Sequence, residues 1–140
     1  MSKLMERLRD AGRSGVYRTS DAATLLAVVH EGGWPARRVS FGGHGDKVAM
    51  LDAISRALAF PQWFGGNWDA LEDCLVDLSW CPAGGHVLVF EDFALGDELG
   101  ILIDILGSVA EHWAARGTPF FAVFVDPAKS LPLADLYRER

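Results

Sequence analysis

In KVAMLDAISRALA, Lys47 to Ala59, the apolar residues Val48, Met50, Leu51, Ile54 and Leu58 recur at helical spacing. The pattern predicts a helix capped by Asp46 and ended by Phe60-Pro61, since proline keeps the residue before it out of the α region. DAATLLAVVHE predicts an earlier helix, with Ser20 as N-cap, Asp21 in its first turn and Gly32-Gly33 as its stop. A third should start at Asn67, after Gly65-Gly66, and carry Leu71, Leu75 and Leu78 on one side. A long fourth should run from Asp97 to Ala115 and end at Arg116-Gly117, with the glycine at C′.

Between these lie three strand candidates. Arg37 to Phe41 is one, followed by the turn GGHG; HVLVF (His86 to Phe90) and PFFAVFVD (Pro119 to Asp126) are continuous apolar runs. Strands of that kind belong in a parallel sheet covered by helices. The order of elements implies a small parallel sheet with right-handed crossovers. The opening MSKLMERLRDAGRSG reads as a frayed or locally helical tail, and nothing after Pro127 predicts an element.

At 140 residues, half of them apolar and 23% charged, the chain has the profile of one globular domain. No apolar run approaches the roughly 18 residues of a membrane span, and the start has no apolar signal-peptide core. Cys74 and Cys81 are too few for a disulfide scaffold and lie in no zinc-type spacing. Reduced thiols and a cytoplasmic location are the expectation.

Charge changes the picture through its placement. Net charge is −6, and residues 1–56 hold nine of the 13 Lys and Arg. From Ala57 to Ala115 there is neither, while that stretch carries Asp69, Glu72, Asp73, Asp77, Glu91, Asp92, Asp97, Glu98, Asp104 and Glu111. Such a surface disfavours direct nucleic-acid binding and suits a basic partner.

Asp69, Glu72, Asp73 and Asp77 are three and four residues apart, so they share one helix face opposite Leu71, Cys74, Leu75 and Leu78. The helix dipole favours Asp69 in the first turn, but not Asp73 or Asp77 beyond it. Each like-charge pair costs roughly 0.2–0.5 kcal/mol, which a folded domain tolerates. The face is therefore either a solvated acidic surface or a binding ridge. Against mere solubilisation stands the missing counter-charge, since such surfaces usually mix signs. The preceding loop, QWFGGNW, crowds Trp63, Phe64 and Trp68 against two glycines. Trp63 reads either as a surface anchor of the kind common at binding hot spots or as a staple-like contact on the helix.

Enzymatic readings find less support. Asp69 with Asp73, or Glu91 with Asp92, would make a carboxylate pair, and the first pair a magnesium ligand set, but neither comes with a motif. His30, His44, His86 and His112 are scattered, and His86 at a strand start reads as structural. Cys74, on the core side of its helix, reads as packed rather than nucleophilic. No catalytic residue, metal or cofactor is expected.

The stretch FPQWFGGNWDALEDCL, with its proline, aromatic pair, Gly-x-Asn-x-Asp-Ala-Leu and Asp-Cys-Leu, resembles the signature of the barstar family, intracellular inhibitors of barnase-type microbial ribonucleases. The resemblance extends more weakly from Val39 to Asp126. It implies a barstar-like α/β fold, a small three-stranded parallel sheet packed against helices. Residues 36–128 would be that domain, residues 1–35 an N-terminal tail and extra helix packed on it, and residues 129–140 a C-terminal tail. It further implies a non-enzymatic protein that blocks a secreted, guanyl-specific ribonuclease with an acidic helix and loop. Asp73 would occupy a phosphate position in the nuclease, with Asp69 a second contact one turn earlier. Trp63 matches an aromatic contact, and Gly65 and Asn67 match loop positions. Gly66 stands where an acidic residue can occur, and Glu72 where the best-known members carry a large aromatic. A further acidic contact late in the long helix would fall near Glu111 and His112. An immunity or regulatory module for another basic protein or toxin is the alternative.

Overall fold

The computed structural model describes residues 3–61, 65–81 and 83–137. Along the chain come α1 (Lys3–Leu8), β1 (Gly15–Thr19), α2 (Ala22–Glu31), β2 (Ala36–Ser40), α3 (Lys47–Ala57) and α4 (Trp68–Asp77), then β3 (His86–Glu91), α5 (Asp97–Ala115), β4 (Phe120–Val125) and β5 (Ala134–Asp135).

Val87 to Phe90 of β3 and the whole of β4 are apolar because helices cover both faces of the sheet. Leu88, Phe90, Phe120, Ala122 and Phe124 point into one core with α3, α4 and α5. The alternate residues Val87, Val89, Phe121 and Val123 point into a second core with Leu4, Met5 and Leu8 of α1 and Leu25 and Val29 of α2. Period-two alternation thus divides each strand between two cores. In the larger one, the Phe90 and Phe124 rings stack at 4.9 Å.

The sheet has five strands, not the expected three, in the order β2-β3-β4-β1-β5, with every pairing parallel. The two additional strands come from segments read as tails. β1 lies beside β4 with Gly15 opposite Phe121 and Thr19 opposite Val125. β5 pairs two residues with the other edge of β1. Locally, GVYRT offers little apolar signal and AD none, so their pairing depends on partners more than 100 residues away. α1 is not frayed: Leu4, Met5 and Leu8 are buried against the sheet.

Two local readings need correction. The N-cap of α2 is Asp21, whose side chain accepts from Thr24 N at 3.0 Å, rather than Ser20. Val48 is 73% exposed, while Met50, Leu51, Ile54 and Leu58 are buried. At 100° per residue it lies about 100° from the centre of their arc.

Asp126, at the end of β4, anchors the chain's return. Its buried carboxylate accepts from Ser130 Oγ at 2.7 Å, Leu131 N at 2.8 Å and Ser130 N at 3.1 Å. Arg18 on β1 donates to Leu131 O at 2.9 Å and pairs with Asp135 at 2.8 Å. Together they hold β5 on the sheet.

Ala59, just past the end of α3, is exposed and has φ of 51°. A Cβ in the left-handed region is strained, and glycine is not. Ala59→Gly should therefore raise stability by about 0.5–1 kcal/mol, read as a higher urea midpoint at unchanged slope. An unchanged or lower midpoint would show that no strain resides there.

Candidate functional site: the acidic helix

The helix is set from both ends. Asn67 caps it, its side-chain oxygen accepting from Ala70 N at 2.8 Å. Gly66 has φ of +70° with open space around it, so the turn into the cap needs glycine. At the far end Leu78 takes a left-handed conformation with its side chain buried. Leu71, Cys74 and Leu75 are fully buried beneath α4. Trp113 of α5 donates Nε1 to Leu75 O at 2.8 Å, and Trp80 donates to Leu58 O at 3.0 Å. Sequence reasoning assigned neither indole. Their signal was chemical, because a buried Trp N–H requires an acceptor.

What this rigid base presents outward is acidic. Asp69, Asp73 and Asp77 are exposed and Glu72 is half-buried. Among the described residues none of the four pairs with a Lys or Arg; the ion pairs present use Asp10, Asp52, Glu91 and Asp135. Ser79 Oγ reaches Asp77 at 3.3 Å. Burial pushes the Cys74 thiol up to about 11, and the charges of Asp73 and Asp77 add to the shift. That cysteine is therefore a packed thiol beneath a negative field.

The rival carboxylate pair is committed elsewhere. Glu91 holds Arg38 through two bonds of 2.7 and 3.0 Å, and Asp92 accepts from Ser40 Oγ at 2.9 Å. His86 is buried against the Trp113 ring at 5.1 Å, and burial, then the nearby Arg37 charge, lowers its pKa. Among the described residues no three His, Cys, Asp or Glu side chains are placed to share a metal. Gly65, Gly66 and Asn67 are exposed beside the first turn of α4, and Trp68 packs on the core. Trp63 lies outside the described residues. On α5, Glu111 is exposed and His112 half-buried against Trp113.

The family model for Barstar (barnase inhibitor) matches residues 34–125. The chain belongs to the Barstar family. The match runs from Trp34, before β2, to the end of β4, and takes in α4 with its loop. It leaves α1, β1, α2 and β5 outside. The Barstar family is one of inhibitors rather than enzymes, so this is a barnase-inhibitor-like protein, and the family implies a barnase-type ribonuclease as partner. Comparison with curated proteins and with solved structures finds no match. No described helix is long and apolar enough to cross a membrane.

Proposed function

We propose that this protein is an intracellular inhibitor of a secreted, guanyl-specific ribonuclease of the barnase type. In this reading α4 and its loop stand in for RNA phosphate. A ribonuclease must hold phosphate with fixed cationic groups, and a preformed carboxylate satisfies them with short charge-assisted bonds. Asp73 enters the phosphate pocket and Asp69 meets a cation one turn away. Glu72 and Asp77 strengthen the field, while Trp63, Gly65, Gly66 and Asn67 form the rim. The observation that carries the reading is that Asp69, Asp73 and Asp77 are exposed on a helix capped by Asn67, without a basic partner among the described residues. Carboxylates that form no ion pair among the described residues are available to another protein's cations without first breaking an internal one.

The test is titration of the protein into a panel of guanyl-specific microbial ribonucleases while following RNA cleavage. One-to-one loss of activity with at least one of them is expected. Affinity should fall as salt rises, mainly through the association rate, because steering is screened over about 10 Å at 0.1 M. If every nuclease in the panel keeps full activity at micromolar inhibitor, the reading fails.

A further inference from the structure

The N-terminal half of α5 faces the loop after β4 across a groove of about 520 Å³. Its apolar lining includes Leu95, Ile101, Ile103 and Pro132, and no α4 residue contributes. Leu95 is 63% exposed and Ile101 41%. Asp97 and Asp104 stand at the groove two helical turns apart, about 10 Å along the axis. Neither forms an ion pair among the described residues. Lys129, next to Ser130 of the groove's loop, forms no ion pair with either carboxylate among the described residues.

Gly100, between the two carboxylates, has no conformational or steric reason to be glycine. It sits inside the helix, and a Cβ there would meet nothing within 4 Å. An interior helix glycine costs about 1 kcal/mol relative to alanine. A gap beside exposed apolar side chains lets another backbone come close.

We propose that this groove docks a basic amphipathic helix of a partner protein. An apolar residue of that helix would enter beside Gly100, and Lys or Arg residues seven positions apart would meet Asp97 and Asp104. Charge decides among occupants. A second copy laid α5 against α5 would oppose carboxylate to carboxylate, and an anionic membrane would be repelled. A cationic helix is attracted.

The probe is a synthetic helical peptide with lysines at i and i+7 and leucines between them. A scrambled peptide of the same composition is the control. Binding is followed by the methyl resonances of Leu95, Ile101 and Ile103 in the full chain. Only the amphipathic peptide is expected to shift them. Asp104→Lys should weaken binding at least about tenfold through the charge. Gly100→Leu should do the same by filling the groove, while keeping or raising the melting temperature. Both variants should inhibit the ribonuclease as wild type does, and Asp73→Ala should bind the peptide normally. Equal binding of the scrambled peptide, shifts confined to α4, or loss of nuclease inhibition in Gly100→Leu would overturn the proposal. So would a dimer in sedimentation that Ile101→Glu dissociates, since a second copy would then own the groove.

Discussion

Asp73→Ala should weaken binding to the target ribonuclease by more than about 2 kcal/mol, at least thirtyfold in Kd, and act mainly on dissociation. The magnitude is that of buried interfacial charge pairs in general, for which barnase–barstar is itself a standard example. In the proposed complex the Asp73 carboxylate is desolvated against arginine or histidine groups. Removing it leaves those cations buried and unpaired, a larger loss than the contact itself. Asp73 is exposed and makes no ion pair among the described residues, so the fold should be indifferent to the change. Stability should stay within about 0.5 kcal/mol of wild type. Asp77→Ala, further from the cap, should cost less and mostly slow association. The measurement is competition kinetics at two salt concentrations, with urea unfolding as the control. Undiminished affinity in Asp73→Ala would remove that residue from the interface.

The largest effect on folding is expected at Asp126. Asp126→Ala should cost about 2–4 kcal/mol, because it strands the amides of Ser130 and Leu131 and uncovers Arg18. Asp126→Asn keeps one acceptor oxygen and should lose about half as much. Burial alone would raise this carboxyl's pKa. Bonds from Leu131 and Ser130, together with the Arg18 charge, outweigh burial and bring it below its ordinary value of 3.8. The sign follows from proton counting: near and below pH 3.8 the unfolded chain binds the proton more readily than the folded one. The contribution is complete above that pH and is lost as pH falls through the lower folded value. Urea midpoints should thus separate wild type from Asp126→Asn at pH 7 and bring them closer in acid. A constant gap at all pH values would mean that the carboxylate charge adds nothing to the anchor.

How much of this was legible depends on how local each cause was. α5 was read to the residue because the glycine that ends it, Gly117 at C′, is a signal local to the helix end. Asn67 and Asp46 were legible as caps, since a cap bonds to an amide three residues on. Asp21 was displaced by one position because Ser20 is equally good chemistry and only backbone geometry separates the two. The four carboxylates on one face of α4 followed from spacing alone. Trp113 did not, since its anchor on Leu75 joins residues 38 apart.

The amino-acid order by itself determined the strands β2, β3 and β4, the α3 to α5 helices, and the separation of an acidic helix face from its apolar underside. These follow from side-chain period and from charge counted along one segment. Only the tertiary structure decided that β1 and β5 extend the sheet and that α1 and α2 cover its second face. It also decided that Glu91 is held by Arg38 while Asp73 has no such partner among the described residues. Strand pairing and ion pairing are meetings between distant segments, and no local pattern states which of them will meet.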